Sequence, residues 1–379
     1  MIGYVLSGGG ARGAWEAGAL RWVLHELPRR TGVDPTPRVI SGTSIGALNG
    51  AWIGAQGAQG SRTLSHAWQN LEVEHVYRLS ARELARLPEK VLGRAGRAGV
   101  FDPAPLRELA SSAIPWEQLH ARIDRGDLAA FVCAATDVAS GFCELFVDGR
   151  PLDHEHATTR VRQVRVGPEH CLASAAIPLA FPPVEVEGRW YCDGALRQNT
   201  PLSPALALGV DRVLVLGVKR TRTPDEVLPE ASAQEPTPAF LAGKALNALM
   251  LDPVEEDLRR LRALNRVMEW GARAYPDFLA RMAAEHRPYR VVRAVHLRPR
   301  EDLGRVAAEI FRANAERLPW STRILLRTVA QQEDGGEADL LSYLLFHRSY
   351  TAELERLGWE DAAAHEDELA ACFAGDAAG

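Results

Sequence analysis

The stretch RVISGTSIGALNG, residues 38–50, decides how this chain folds. A short apolar run, Arg38–Ser41, has strand character, and Ile45–Ala55 is a small-residue run with helical character. Between them lies Gly42-Thr43-Ser44-Ile45-Gly46, a G-x-S-x-G turn. A serine on a sharp strand-to-helix turn, with a glycine two residues to either side, is how a nucleophile elbow is built. The glycines let chain segments approach where a side chain would block them. Ser44 is therefore the candidate nucleophile, with Gly42 and Gly46 supporting its turn.

The same pattern occurs once before it. Ile2–Leu6 reads as a strand, Ser7–Gly13 as a glycine-rich loop and Ala14–Leu27 as a helix. Strand, tight glycine turn and helix, repeated twice, predict a parallel sheet with crossover helices. Further strands are expected at Ala129–Ala135, Phe142–Val147, Arg212–Val218 and Tyr289–Leu297, with a hairpin over Pro183–Asp193 turning at Gly188. Residues 61–120 read as a helical insertion cut by Pro88, Pro103, Pro105 and Pro115. Thr221–Pro238 is rich in Pro, Glu, Ser and Thr and reads as a linker or surface loop. The expected organisation is a catalytic domain over 1–220, a linker over 221–238 and a mostly helical region over 239–379 packed on the catalytic domain.

Composition narrows the function. The chain has 379 residues, 25% of them charged, and a net charge of −5. That balance argues against a nucleic-acid binder, which normally presents a basic face. No basic n-region precedes an apolar h-region, and no run of eighteen apolar residues occurs, so a cytoplasmic protein meeting membranes only peripherally is expected. The five cysteines lack C-x-x-C spacing and read as free thiols. Neither a metal nor a cofactor is expected, and the oligomeric state is left open.

Gly8-Gly9-Gly10-Ala11-Arg12-Gly13 has two readings. It matches G-x-G-x-x-G, the dinucleotide fingerprint, but the acidic residue expected at the end of the second strand is replaced by Ser41-Gly42-Thr43-Ser44. The alternative is an oxyanion hole: successive glycines turn backbone N–H groups toward one point, and the following helix N-terminus adds positive potential. Arg12 either adds charge there or holds the loop.

The base is not an obvious histidine. Tyr191-Cys192-Asp193-Gly194-Ala195 ends the expected hairpin, and a carboxylate can accept the serine proton if its surroundings raise its pKa. Taken together, GGGARG after the first strand, GTSIG at the next strand–helix junction and DGA about 150 residues later resemble the patatin-like phospholipases. Ser174-Ala175-Ala176-Ile177-Pro178 resembles the S-x-x-x-P segment of that family, and SYLLFHRSYTAELERLGWEDA, residues 342–362, is similar to its bacterial members.

The resemblance implies an α/β three-layer sandwich with a mainly parallel central sheet, and metal-free hydrolysis of lipid acyl esters by a Ser–Asp dyad. By position Ser44 is the nucleophile and Asp193 the proton acceptor. Gly8, Gly9, Gly10 and Arg12 form the oxyanion hole, with Gly13, Gly42, Gly46 and Gly194 in support.

Alternatives remain at this stage. A Ser–Asp–His triad of α/β-hydrolase type would draw on His286, His296 or His347. A non-catalytic interaction protein on the same fold and a dinucleotide-dependent oxidoreductase are the others. Arg78, Arg82, Arg86, Lys90 and Arg94, four residues apart, would stack on one helical face toward anionic lipid, or form an ordinary solvated face. Ile177–Pro183 is a candidate acyl-pocket lining, with core packing as its plain reading.

Overall fold

Apolar runs bounded by glycine turns become the strands of a single sheet. The computed structural model describes residues 1–79, 99–153, 157–220, 254–285, 290–331 and 339–374. Its strands are β1 (Ile2–Leu6), β2 (Val39–Thr43), β3 (Ala130–Asp137), β4 (Cys143–Gly149), β5 (Thr159–Gln163), β6 (Val184–Val186), β7 (Arg189–Asp193), β8 (Arg212–Leu216) and β9 (Arg293–Leu297). Their order is β5-β4-β3-β2-β1-β8-β9, with β7 joined to β3 and β6 joined to β7.

The centre, β3-β2-β1-β8-β9, is parallel. β4 runs antiparallel to β3 and β5 parallel to β4, which makes the sheet mixed at one edge. β5 is a strand that the sequence pattern did not reveal: Thr-Arg-Val-Arg-Gln is polar and half-exposed, as an edge permits. The hairpin turns at Glu187-Gly188, both with positive φ, as a tight two-residue turn requires.

Helices cover both faces of the sheet. The central strands are buried throughout, and alternate side chains feed opposite layers: Tyr4, Leu6, Ile40 and Phe131 enter one core, Val5, Val39, Val132, Val213 and Val215 the other. Along the first face run α1 (Gly13–Arg21), α2 (Leu27–Thr31), α3 (Ile45–Gln56), α4 (Ala58–Gln69), α5 (Ala104–Ala113) and α6 (Trp116–Asp124). The expected helix over 14–27 extends to Thr31 but widens into a π-helical stretch at Trp22–Glu26. Pro28, which lacks an N–H and crowds the turn before it, accounts for the widening. The remaining helices are α7 (Pro168–Ser174), α8 (Leu202–Ala207), α9 (Val254–Ala274), α10 (Phe278–Glu285), α11 (Leu303–Asn314), α12 (Trp320–Gln331), α13 (Asp339–Leu344), α14 (Arg348–Ala363) and α15 (Glu366–Phe373). Among the described residues no helix is long and apolar enough to cross a membrane.

One sequence reading changes here. Arg78 does not begin a helical arginine stack: it pairs with Asp102 in an extended bridge. Arg82, Arg86, Lys90 and Arg94 lie outside the described residues, as does the Thr221–Pro238 linker.

Of the C-terminal helices, α14 is built into the first face, while α9 packs Val254, Leu258 and Leu261 into the second core. α1 and α14 cross at Gly18 and Gly358, where a Cβ on either residue would lie 1.9 Å from a backbone carbonyl of the other helix. Trp15 Nε1 donates to Asp361 at 2.8 Å and Arg21 Nε to Glu355 at 2.7 Å across the same interface.

Candidate active site

One edge of β3 brings Ser44, the candidate nucleophile, and the Asp193 carboxylate together. Thr43, the last residue of β2, lies opposite Ala134, and Asp193, the last residue of β7, lies opposite Ala135. Where β2 leaves the sheet for the elbow, β7 enters the place it vacates. Residues 149 apart in sequence thereby meet, and Ser44 Oγ donates to Asp193 Oδ2 at 2.6 Å.

The elbow is strained in the way its motif implies. Ser44 has φ 54° and ψ −125°, a conformation few residues other than glycine adopt, and it is the N-cap residue of α3. A Cβ on Gly42 would sit 2.4 Å from the Gly46 carbonyl oxygen, and one on Gly46 2.4 Å from that of Leu6. Both glycines are therefore required by close backbone approach. Ser174, the serine of the SAAIP segment, completes the turn: its Oγ accepts the Ser44 N–H at 2.7 Å and donates to the Ala134 carbonyl at 2.5 Å.

Asp193 is buried, and burial pushes its carboxyl up to about 7, against the opposing pull of the Ser44 hydroxyl and the Ala195 N–H. Such a carboxyl exchanges its proton near neutral pH. Its own chain is fixed by Asp193 N–H donating to Ala176 O at 2.9 Å and by Thr136 Oγ1 donating to Asp193 O at 2.9 Å. Gly194 packs its Cα against the Ala134 carbonyl, where a Cβ would fall at 2.2 Å.

The glycine loop lies over this pair at the carboxyl ends of β1 and β8, where the strand order reverses and open α/β sheets bind ligands. Its members differ. The Gly8 N–H donates to the Asn199 carbonyl at 3.1 Å, so Gly8 offers close approach to Ser44 in place of a free donor. The Gly9 and Gly10 N–H groups have no acceptor among the described residues. Gly10 has φ +55°, and a Cβ there would lie 2.3 Å from the Tyr343 carbonyl oxygen. Arg12 is buried: Nε donates to Ser342 Oγ at 2.8 Å and its guanidinium lies 4.4 Å over the Tyr343 ring. It holds the loop to α13. Gly13 starts α1 against Ile45.

No histidine reaches the pair among the described residues. His296 lies on β9, three strands from β2, and burial pushes its imidazole down to about 4. His347 caps α14, with Nδ1 accepting the Ser349 N–H, and burial likewise lowers it. His286 falls outside the described residues. The described residues contain no cluster of His, Cys, Asp and Glu able to hold a metal ion.

Sequence reasoning missed a buried polar network beneath the loop. Glu16 Oε2 accepts from Asn49 Nδ2 at 3.0 Å, and Asn49 also donates to Gly13 O and accepts from Trp68 Nε1. Ser7, next to Gly8, faces the other Glu16 oxygen at 3.5 Å and accepts the Val218 N–H. Burial without a cationic partner pushes the Glu16 carboxyl up to about 8. The signal available in sequence was an acid on an otherwise apolar helix face.

Within Ile177–Pro183 the side chains divide between core and surface. Ile177 and Phe181 are core residues, Phe181 packing on Tyr77 and Phe101, while Leu179 projects outward with φ 69°. Among the described residues an apolar cavity of about 260 Å³ lies between α3, α4 and α5, with Ile45, the residue after Ser44, in its wall.

Compared with family models, the chain matches one described as Patatin-like phospholipase over residues 4–206. Among solved structures, VipD from Legionella pneumophila matches at 13% identity with a TM-score of 0.34, over 78% of this chain and 61% of that one. No curated protein matches.

Proposed function

The chain belongs to the patatin-like phospholipase family, whose model spans more than half of it, and from that premise we propose that it hydrolyses lipid carboxylic esters through a Ser44–Asp193 dyad. Membership carries lipid acyl hydrolysis as the general activity and a lipid as the molecule acted on. The observation that supports the finer reading is the 2.6 Å hydrogen bond from Ser44 to a buried carboxylate tuned to neutral pH.

In this mechanism Ser44 Oγ attacks the ester carbonyl while Asp193 Oδ2 takes its proton. The carbonyl oxygen, now negative, faces the free Gly9 and Gly10 N–H groups at the head of α1. Their worth is of the order reported for such donors, about 10²–10³ in rate each. Collapse expels the alcohol, which leaves with the proton from Asp193, and an acyl group remains on Ser44. Water then attacks the acyl carbonyl, giving a proton to Asp193; Ser44 Oγ departs with that proton and the free acid is released. Gly8, Ser174 and Arg12 keep the parts in place. Residues 1–220 and the C-terminal helices act as one catalytic unit in this reading, supported by the α1–α14 crossing and the Arg12 bond to Ser342.

A fluorophosphonate probe and a p-nitrophenyl ester test the proposal. Wild-type protein should label and turn over ester, Ser44→Ala should do neither, and Asp193→Asn should turn over ester at least 10²-fold more slowly. Labelling that survives Ser44→Ala would refute it.

A further inference from the structure

The apolar cavity of about 260 Å³ has in its wall Ile45, the residue that follows Ser44. Its wall on α3 is Ile45, Leu48 and Trp52, a stripe of i, i+3 and i+7 that begins at the residue after the nucleophile. The stripe runs about 10 Å along the helix at 1.5 Å per residue. Leu64 and Trp68 of α4 and Leu109 of α5 close the other sides. Asn49, Asn70 and His75 also reach the cavity, but each is engaged in local hydrogen bonds: Asn49 with Glu16, Asn70 Nδ2 with the His66 carbonyl, and His75 Nδ1 with the Glu72 N–H. The cavity therefore presents hydrocarbon with its few polar groups already satisfied.

We propose that this cavity is the acyl-chain site and limits the enzyme to medium-length chains, with Trp52 as the end wall. The proposal rests on Ser44 being the esterase nucleophile. The length of the α3 stripe sets the limit: a chain esterified to Ser44 and laid along Ile45 and Leu48 meets the Trp52 indole about two turns, or about 10 Å, on. Trp52 is pinned there by its Nε1 bond to Thr63 Oγ1 at 2.8 Å. Each methylene that enters the cavity leaves water, worth up to about a fourfold gain in kcat/KM at about 0.8 kcal/mol per CH₂. The gain ends when the cavity is full, and a longer chain must bend back into water or displace the indole.

The experiment is a series of p-nitrophenyl esters from acetate to palmitate on the full chain, with fluorophosphonate labelling of Ser44 run on every variant as the measure of an intact site. Wild-type kcat/KM should climb at least tenfold from acetate to octanoate or decanoate and fall at least tenfold by palmitate. Trp52→Ala should move the optimum to longer chains, and Leu48→Trp should cut the octanoate-to-acetate ratio at least tenfold. A flat series, an optimum at palmitate, or unchanged ratios in two variants that still label would overturn the cavity assignment while leaving the hydrolase reading intact. No labelling and no turnover of any ester by the wild-type chain would overturn both.

Discussion

Shifting the pH from 8 to 6 should cut kcat/KM about tenfold, because Asp193 gains its proton across that interval. With the carboxyl at about 7, about nine-tenths of it is ionised at pH 8 and about one-tenth at pH 6. Below pH 6 the loss should continue tenfold per unit. The assay is initial-rate hydrolysis of a medium-chain ester between pH 5 and 9 at constant ionic strength, for wild type and Asp193→Asn. The acid limb should vanish in the variant along with at least 10²-fold of the rate. Stability should move oppositely. The folded carboxyl lies above its ordinary 3.8, so its contribution is fully present below about 3.8 and is lost as pH rises toward about 7. At 1.36 kcal/mol per unit this is about 4 kcal/mol, and Asp193→Asn should exceed wild type in urea stability at pH 8 by up to that amount, the difference closing near pH 4. Full activity down to pH 5, or an acid limb that persists unchanged in Asp193→Asn, would refute the reasoning.

Glu16→Gln should stabilise the protein above pH 8 by up to about 5 kcal/mol, since a carboxyl raised from 4.5 to about 8 loses stability through that window; denaturation midpoints that track wild type from pH 4 to 9 would contradict it. Ser174→Ala leaves the Ser44 N–H and the Ala134 carbonyl without their shared partner, so a loss of about 2 kcal/mol by chemical denaturation is expected, together with slower ester turnover. Gly358→Ala forces a methyl group to within 1.9 Å of the Trp15 carbonyl. It should destabilise by about 3 kcal/mol, and a change under about 0.5 kcal/mol would show that α1 and α14 can part freely.

What could be read from the sequence was what local chemistry specifies. β1 and the elbow strand announce themselves as apolar runs ending in glycine, and the hairpin turn at Gly188 follows from a residue that tolerates positive φ. The pairing of Ser44 with Asp193 was reached through three separated motifs, but its cause, two strands sharing one edge of β3, is a matter of register that no single segment encodes. The roles within the glycine loop were illegible for the same reason. Whether Gly8 is a donor depends on the Asn199 carbonyl, and whether Arg12 faces substrate depends on Ser342. Glu16 and Asn49 lie on different helices, and only their meeting makes a network. Gly18 and Gly358 would count against helix on propensity alone, and tertiary packing outweighs that penalty.

The bond from Arg12 to Ser342 and the seat of Gly10 on Tyr343 impose an order in time. A ribosome adding about 5–20 residues per second takes about 7–30 s to pass from Asp193 to Tyr343. Throughout that interval Ser44 and Asp193 are present while the glycine loop lacks the residues that Arg12 and Gly10 rest on. In the proposed mechanism the emerging chain is thus latent until late-made residues fold back onto the first helix.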